Sequence, residues 1–332
     1  MSIALDAMGG DNAPAAIVQG ALDALPELRM PLYLVGAIDR IRPLLPPTLP
    51  PNLHLKNATQ EVLMTDKPTD AYRKKKDSSL MVATKLVKDG HASAMVSAGN
   101  TGAAATFTLL TWRQIEGIHR PGIASRMPNR HGGFMLLDAG ASPDADPQNL
   151  VEFAVMGRAY AESVLGRTNP TVHLLNVGEE EGKGNAVAKA TYNALKKFPW
   201  FKGNIEGKDM FFEPCDVVVC DAFVGNVVLK ASEGIAELII AMIRNEIPDH
   251  PLMKPLFWPV KQVMTPLKHE MDYSEIGGSP LLGLNGTCMI CHGRSDAKAI
   301  KNALLLSQRM VEANVEAKIR AAIQRDIPVT PQ

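Results

Sequence analysis

The chain has 332 residues, of which 46% are hydrophobic, and its 35 Lys and Arg residues balance 35 Asp and Glu residues. This length supports a large core in one domain or two, and the neutral net charge argues against a protein that binds nucleic acid. No uninterrupted apolar run is long enough to span a bilayer, and the start lacks the basic and apolar pattern of an export signal. We therefore expect a cytoplasmic, globular protein.

Short apolar runs recur along the chain, and a loop of small or polar residues follows each of them. The runs cover 3–5, 32–35, 94–96, 134–137, 172–175, 217–220 and 289–291, and helices are predicted at 15–25, 103–110 and 186–198. Continuous apolar strands are typical of a parallel sheet covered on both faces. We therefore predict an α/β fold with a doubly wound, mostly parallel sheet. Ligands bind beyond the carboxyl ends of such strands, so we expect these loops to lie close together.

Three carboxylates directly follow predicted strands. Asp6 and Asp11 follow the first strand, and Asp138 follows the strand at 134–137. Their position at carboxyl ends makes them candidate members of a site. The basic stretch 73–79 (RKKKDSS) is most simply a solvated surface, and it is also a candidate docking surface for an acidic partner.

The stretch from Ser97 to Gly102 (SAGNTG) joins a predicted strand to an alanine-rich helix. Its small residues allow a ligand to approach the backbone, and Asn100 or Thr101 can cap the helix. The free N–H groups and the positive end of the helix dipole then favour an anion, phosphate above all. We predict that Ser97, Gly99, Asn100, Thr101 and Gly102 bind phosphate. The alternative is an ordinary strand-to-helix turn without a ligand.

The stretch 178–184 (GEEEGKG) is similar to a nucleotide P-loop but does not match one. It is one residue too short, and Gly184 stands where the magnesium-binding Ser or Thr belongs. We therefore exclude ATP hydrolysis. Lys183 lies in this glycine-rich loop before a predicted helix, where it either meets an anion or is simply a solvated lysine.

Two later loops also carry polar candidates. Asn226 lies near the start of a predicted helix, either as a site residue or as a cap, and Lys230 lies one turn further on. His292 follows the strand at 289–291, a position that favours a site residue over a purely structural histidine. Ser295 is a candidate cap for the C-terminal helix.

The segment 247–278 departs from the strand and helix pattern because it contains five prolines and remains strongly apolar. We interpret it as a helical excursion from a single α/β catalytic domain that covers 1–332.

Part of this excursion, residues 252–268, contains no Asp or Glu. Its lysines recur every seven residues, and two aromatic residues lie between the first two of them: Lys254, Lys261, Lys268, Phe257 and Trp258. If helical, this pattern is typical of a segment that lies in a membrane interface, with the lysines towards anionic headgroups. The alternative is a pair of helices at a dimer interface, and both roles can hold together.

The cysteines raise the question of a metal. Cys288, Cys291 and His292 match the haem attachment pattern and contain a zinc-like CxxC. Residues i and i+3 of a strand point to opposite faces, which argues against a shared metal. The pair Cys215 and Cys220 poses the same problem. We expect buried, reduced thiols and neither metal nor haem.

Several of these stretches, taken in order from about residue 3 to about residue 310, resemble the acyl-ACP:phosphate acyltransferase family, called PlsX. The matching stretches are 6–11, 73–79, 97–103, 176–178 with 183–184, 225–230, and 277–283 with 292–293. As an ordered set they are specific, although no single stretch is. The chain departs from the family at Ser142, where Asn is usual, and at Ala222, where Gly is usual.

The resemblance implies a reaction in which acyl-ACP and inorganic phosphate give acyl phosphate and free ACP, and the product feeds a membrane glycerol-3-phosphate acyltransferase in phospholipid synthesis. It also implies a homodimer, no cofactor, and a fold similar to the phosphate acetyltransferase and isopropylmalate dehydrogenase group. The other residues expected in the site loops are Asp6, Asp11, Asp138, Lys230 and Ser295.

Such a reaction requires that two anions are held together, that the thioester oxyanion is stabilised and that a thiolate leaves. Lys183 is the candidate for holding charge, Asn100 or Asn226 for donating to the oxyanion, and His292 for protonating the sulfur. Two alternatives remain: a CoA-dependent phosphate acetyltransferase of similar fold, and a non-catalytic scaffold at a membrane surface. A dehydrogenase is less favoured because no acidic cluster suits a metal-bound hydroxy acid.

Overall fold

The computed structural model describes residues 1–246 and 273–327. Within them, eleven strands form one sheet. The strands are β1 (Ile3–Asp6), β2 (Leu32–Gly36), β3 (Leu53–Asn57), β4 (Ala94–Ser97), β5 (Gly122–Met127), β6 (Phe134–Leu137), β7 (Val172–Asn176), β8 (Phe201–Glu206), β9 (Val217–Val219), β10 (Ser279–Leu282) and β11 (Thr287–Ile290).

The helices of the described residues separate most of these strands. They are α1 (Ala15–Ala24), α2 (Ile38–Ile41), α3 (Pro68–Lys74), α4 (Ser79–Lys88), α5 (Thr101–Trp112), α6 (Pro147–Val164), α7 (Ala186–Leu195), α8 (Ala222–Glu246), α9 (Tyr273–Ile276), α10 (Ala297–Glu312) and α11 (Val315–Asp326). None of these helices combines the length and the apolar character that crossing a membrane requires.

The sheet has the order β3-β2-β1-β4-β11-β10-β5-β6-β9-β7-β8. Seven of its ten neighbouring pairs are parallel. Successive residues of a strand pack on opposite faces: Ile3 and Leu5 belong to the core on one face, and Ala4 belongs to the core on the other. The prediction of a mostly parallel sheet that is covered on both faces is therefore confirmed.

The predicted helices and strands agree with the structure within a few residues, because each combined a long apolar pattern with a clear start. Helix α1 covers Ala15–Ala24 where 15–25 was predicted, and β6 covers Phe134–Leu137 as predicted. Helix α6 shows how such a start is built. Asp146 accepts the Asn149 N–H, Asn149 returns a hydrogen bond to the Asp146 N–H, and Pro147 occupies the first turn.

Two strands that the sequence did not indicate change the geometry of the sheet. Strands β10 and β5 lie in its centre and make antiparallel pairs with β11, with each other and with β6. The block β3-β2-β1-β4-β11 therefore runs opposite to the block β6-β9-β7-β8, and the carboxyl ends of the two blocks lie on opposite margins of the sheet. The expectation that all the loops gather at one margin is wrong for a single chain.

The proposed excursion at 247–278 falls almost entirely outside the described residues. Its end is described: α9 occupies Tyr273–Ile276, and β10 begins at Ser279. The membrane or dimer candidates, Lys254, Phe257, Trp258, Lys261 and Lys268, all lie outside the described residues.

Candidate active site

The loops that follow β1, β4 and β11 contact one another and form what we call the phosphate-loop cluster, residues 6–13, 97–102 and 292–296. The Asp11 N–H donates to the Gly293 carbonyl oxygen (2.8 Å). A Cβ atom on Gly9 would lie 2.8 Å from the Gly99 nitrogen, so only glycine permits this approach. The structure thus brings Asp6, Asp11, the Ser97 loop and the His292 loop together.

Asp6 is the buried anchor of this cluster. Its carboxylate accepts the Ser97 Oγ–H (2.7 Å) and the Met8 N–H (3.2 Å). Burial raises the pKa of Asp6, and hydrogen bonds from Ser79, Ser97 and the backbone oppose that rise. Asp6 therefore holds the first loop against its neighbours.

Ser97 belongs to this anchor, which corrects its predicted role. Its hydroxyl donates to Asp6 and accepts the Gly99 N–H (3.1 Å), and the residue is fully buried. Because its hydrogen is already donated, Ser97 shapes the phosphate loop and does not offer a donor to an anion.

Helix α5 begins at this cluster with its N-terminus exposed. As predicted, Asn100 caps the helix, and its Oδ1 accepts the Ala103 N–H (3.0 Å). Thr101 and Gly102 are exposed in the first turn, where backbone N–H groups lack helical partners and the dipole favours an anion. The free N–H groups and the dipole of this turn therefore suit an anion.

The oxyanion role predicted for Asn100 does not fit its contacts. Its Nδ2 donates to the carbonyl oxygens of Met64 (2.9 Å) and Asp66 (3.2 Å), so both amide hydrogens are used. Asn100 therefore fixes the helix start to the segment before α3, and it has no free donor for a substrate in this arrangement.

Two single variants separate these roles. We expect Asn100→Ala to lower the free energy of unfolding by about 1–2 kcal/mol, because it removes a helix cap. Thr101→Ala should leave stability unchanged and raise the apparent KM for phosphate roughly tenfold, the cost of one hydrogen bond to a charged group.

Urea denaturation and steady-state kinetics measure the two effects. The matched control is Thr69→Ala, which removes an exposed threonine from the nearby helix α3. If Thr101→Ala and Thr69→Ala have the same KM for phosphate, the Thr101 hydroxyl does not contact the anion.

His292 is exposed directly after β11. Its Nδ1 accepts the Arg294 N–H (3.1 Å), which fixes the neutral tautomer with the proton on Nε2. Burial lowers the pKa of His292, and the positive charge of Lys230 lowers it further. His292 is therefore largely neutral at pH 7, so an acid role would use its minor, protonated form.

A pH profile tests whether His292 is the acid. If the protonated form carries the reaction, turnover should fall as pH rises through a pKa below the ordinary histidine value of about 6.5. Lys230→Met removes a charge that lowers the pKa of His292, so it should move this fall to higher pH. A profile that Lys230→Met does not displace, or a rate that rises over this range, would contradict the acid role.

The prediction that Ser295 caps the C-terminal helix is wrong. Asp296 caps α10 by accepting the Ala299 N–H (2.9 Å), because Ser295 stands one residue before the cap position. Ser295 is instead buried, and its hydroxyl has no hydrogen-bond partner among the described residues. Its carbonyl oxygen and that of Arg294 accept the Asn12 Nδ2 hydrogens (3.3 and 3.1 Å).

A second set of loops comprises residues 138–142 after β6 and 220–222 after β9, and we call it the Asp138 cluster. Asp138 is fully buried, and its carboxylate accepts N–H groups of Ile123, Gly140, Ala141 and Ser142 at 2.7–2.9 Å. Burial raises the pKa of Asp138, and these four hydrogen bonds oppose the rise. With its oxygens so engaged, Asp138 organises the loop.

Both departures from the family pattern lie in the Asp138 cluster. The Ser142 hydroxyl donates to the Pro121 carbonyl oxygen (3.0 Å), and the Ala222 N–H donates to the Ser142 carbonyl oxygen (3.2 Å). The two residues therefore hold the 138–142 loop against the start of α8.

Helix α8 begins in the Asp138 cluster. Its first turn is capped by Asp221, which accepts the Val224 N–H (2.9 Å), so Asn226 is not the cap. Asn226 is exposed in the first turns. Lys230, further along, pairs with Glu233 (2.7 Å) and acts electrostatically on His292. The helix thus starts in the Asp138 cluster and extends towards the phosphate-loop cluster.

Lys183 lies on the exposed loop after β7. Its ammonium is 3.8 Å from a Glu180 carboxylate oxygen, and its carbonyl oxygen accepts the Asn176 Nδ2 hydrogen (3.2 Å). Among the described residues, no hydrogen bond or ion pair joins this loop to either cluster. The structure therefore leaves the ammonium accessible without bringing it into the phosphate-loop cluster.

Sequence reasoning missed two residues that build the site. Ser79 begins helix α4 and lowers the pKa of the buried Asp6, and the Asn12 side chain donates to the loop that follows β11. Ser79 ends the basic stretch 73–79, and the charged residues of that stretch predict a solvated surface, not a buried serine. The signal for Ser79 was its position after Ser78, which accepts the Met81 N–H as the α4 cap.

The cysteines follow the predicted strand geometry. Cys288 packs in the core on one face of the sheet and Cys291 in the core on the other. Burial raises the pKa of Cys288 to about 12 and also raises that of Cys291. In residues 1–246 and 273–327, no group of three or more His, Cys, Asp or Glu side chains has the arrangement of a metal site.

Solved structures identify the class of fold. The chain is similar to a phosphotransacetylase from Streptococcus pyogenes, with a TM-score of 0.62 and 18% identity over 94% of each chain. It is also similar to a branched-chain phosphotransacylase from Enterococcus faecalis, with a TM-score of 0.54 and 14% identity over 94% of this chain and 100% of the other. The protein thus has the phosphotransacetylase type of α/β fold.

Sequence relatives are much more similar and define the family. A phosphate acyltransferase from Heliobacterium modesticaldum is 48% identical over 99% of this chain and 98% of the relative. One from Brevibacillus brevis is 44% identical over 98% of both. The model of a family described as fatty acid synthesis protein matches residues 1–318. The chain belongs to the phosphate acyltransferase family and is an acyltransferase.

Proposed function

We propose that this protein transfers the acyl group of acyl-ACP to inorganic phosphate for phospholipid synthesis. A phosphate oxygen attacks the thioester carbonyl carbon, a C–O bond forms and the C–S bond breaks. The products are acyl phosphate and the thiol of ACP, which gains a proton. Phosphate is already anionic near pH 7, so the nucleophile requires little activation.

The observation that carries this proposal is the exposed N-terminus of α5 within the phosphate-loop cluster. Backbone N–H groups and the helix dipole favour phosphate there, and the close approach of Gly9 to Gly99 packs the loops that surround it. The phosphate acyltransferase name of the relatives and the fatty acid synthesis description of the family support the same reaction.

The remaining candidates divide the chemistry. His292, at the edge of the same cluster, protonates the departing sulfur. We assign to Lys183 the role of holding negative charge because its ammonium is accessible, although its loop is not joined to either cluster by a described hydrogen bond or ion pair. Asn226 is the candidate oxyanion donor in place of Asn100. His292 and Asn226 belong to opposite blocks of the sheet, and α8 carries both Asn226 and Lys230, whose charge acts on His292. The proposed reaction uses no cofactor.

The surface of α3 supports a docking site for the acidic carrier protein. Pro68, at the start of α3, lies 3.1 Å from the position of a Cβ atom on Gly102 in the first turn of α5. Arg73 and Lys74 are exposed at the other end of α3, and Lys76 packs on the ring of Tyr72. Positive charge beside the proposed phosphate site is suited to an acidic partner.

The exposed apolar face of α8 supports a homodimer. The large hydrophobic residues exposed on this helix are Phe223, Val224, Val227, Ile235, Leu238, Ile239 and Met242. Most recur at spacings of three or four residues and so lie along one side. A contiguous apolar patch of this kind marks an interface.

Aspartates on this face should separate the protomers. We expect Val227→Asp with Leu238→Asp to convert the dimer to a monomer, because each buries a charge in an apolar interface. Sedimentation velocity measures the state. Leu44→Asp, at a residue 42% exposed outside α8, is the control and should remain dimeric. A double variant that sediments as wild type would exclude α8 from the interface.

We further propose a cytoplasmic protein with peripheral association at the inner face of the membrane, where a glycerol-3-phosphate acyltransferase consumes the product. The segment 252–268, outside the described residues, is the candidate contact through its lysines and aromatic residues.

One assay tests the central proposal. Purified protein is incubated with phosphate and either long-chain acyl-ACP or acetyl-CoA, and acyl phosphate is measured. Acyl phosphate formed from acyl-ACP but not from acetyl-CoA supports the proposal. Preferred turnover of acetyl-CoA would indicate a CoA-dependent phosphate acetyltransferase, and the absence of phosphate-dependent thioester cleavage would favour a non-catalytic membrane scaffold.

A further inference from the structure

A cavity of about 810 Å³ opens on the face of the sheet opposite α5, between α6 and α10. Its floor includes Ala124, and its walls include Tyr160 and Leu306. These three residues belong to the core on one face of the sheet, whereas the buried residues of α5 belong to the core on the other face. Its described lining shares no residue with the phosphate-loop or Asp138 clusters. The volume lies within the range of about 300–1,000 Å³ that small-molecule sites occupy.

Four arginines and a buried phenol line this cavity, and two of the arginines, Arg29 and Arg167, are paired with Glu312 and Asp216. Tyr160 is 2% exposed, and the charges of Arg309 and Arg126 act on its hydroxyl. Burial raises the pKa of Tyr160, and the two arginine charges oppose that rise. The phenol therefore stays protonated and can donate a hydrogen bond.

Neither the Arg126 nor the Arg309 guanidinium has an acidic partner among the described residues. Arg126 donates to the Gly132 carbonyl oxygen (3.1 Å), and the hydrogen bonds of the described chain include none from Arg309. By contrast, the cavity-lining carboxylates Glu27 and Glu275 are paired with Lys301 and Lys298. The cavity thus carries uncompensated positive charge, which favours an anion.

Besides the polar side chains of Arg29, Asn129, Arg167, Asn302 and Gln308, part of the lining is apolar, and this part limits the kind of anion. Leucine, methionine, valine and proline side chains form the walls: Met127, Met135, Val164, Leu165, Pro280 and Leu305. A small inorganic ion would leave these surfaces in contact with water. A ligand with an anionic head and an aliphatic chain satisfies both parts of the cavity.

We propose that this cavity binds a long-chain acyl anion, with its head on Arg126, Arg309 and the Tyr160 hydroxyl and its chain along the apolar walls. A fatty-acid carboxylate and an acyl phosphate share this chemistry. The site is separate from the proposed phosphate loop and does not rest on the proposed reaction.

Calorimetric titration of the full chain tests the site. The probes are palmitate and hexadecylphosphonate, below their micelle concentrations and with saturating inorganic phosphate to occupy the phosphate loop. We expect one ligand per chain. Arg126→Gln with Arg309→Gln should weaken binding about a hundredfold, since each charge-assisted hydrogen bond contributes tenfold or more. Tyr160→Phe should weaken it less.

The control is Lys318→Gln with Arg325→Gln, which removes two exposed charges from α11 and should bind as wild type. Equal melting temperatures of the variants exclude unfolding. Tighter binding of palmitate identifies a fatty acid as the ligand, and tighter binding of the phosphonate identifies acyl phosphate. The proposal is overturned if neither probe binds, if the arginine variant binds as wild type, or if hexadecanol binds as tightly as the anions. A failure here leaves the acyl-ACP assay unaffected.

Discussion

Replacing Lys183 by alanine is expected to lower acyl phosphate formation about a hundredfold to a thousandfold, the usual effect of losing one group that stabilises developing charge. The side chain is on an exposed loop, 3.8 Å from Glu180, so its loss removes little packing. The free energy of unfolding should change by less than about 0.5 kcal/mol. Turnover of acyl-ACP at saturating phosphate and urea denaturation measure these two quantities.

Lys189→Ala is the matched control for this variant. Lys189 is an exposed lysine on α7, the helix that follows the Lys183 loop, so its removal changes the net charge equally and should leave turnover unaltered. Near-normal turnover of Lys183→Ala would remove this residue from the site. An equal loss in both variants would indicate a general effect of charge.

Gly225→Ala should give the largest loss of stability, about 3 kcal/mol or more in the free energy of unfolding, because the backbone must move to accept a methyl group. A Cβ atom at this position would overlap the Asp138 carbonyl oxygen and lie 3.0 Å from the Cys220 Sγ. The movement would displace the start of α8 from the Asp138 cluster, so we expect turnover to fall as well.

Chemical denaturation and the acyl-ACP assay measure these effects. Gly207→Ala is the control, because Gly207 is exposed and a Cβ atom there meets no atom within 4 Å. Its free energy of unfolding should stay within about 0.5 kcal/mol of wild type. If Gly225→Ala is as stable as Gly207→Ala, α8 does not pack on the Asp138 loop as closely as the structure indicates.

Much of the fold could be predicted from the sequence because local patterns determine its regular parts. The apolar run of β6 has clear ends in the sequence. The change from small residues to helix α5 at Asn100 is marked in the same way by the residues themselves. Strands β5 and β10 lack such signals. Gly122–Met127 includes Ser125 and Arg126, and β10 follows a proline-rich segment, so their central antiparallel position depends on distant partners that a single sequence does not reveal.

The site was less predictable than the fold for a similar reason. Position after a strand correctly indicated that the Asp6, Ser97 and His292 loops are neighbours, because β1, β4 and β11 are parallel. The direction of a side chain's hydrogen bonds was not predictable. Ser97 and Asn100 are residue types that commonly bind phosphate. Here the Ser97 hydroxyl donates to Asp6, and the Asn100 amide donates to the carbonyl oxygens of Met64 and Asp66.

The insertion of β11 beside β4 has a consequence for synthesis of the chain on the ribosome. Strand β4 ends at Ser97, and its neighbour β11 begins at Thr287, so the N-terminal strands emerge long before their partner. At about 5–20 residues per second, roughly 10–40 s separate the two. During that time the β4 edge has no strand to pair with and is open to other nascent chains. Chaperones that shield unpaired edges should therefore matter more for the yield of this protein than its final stability indicates.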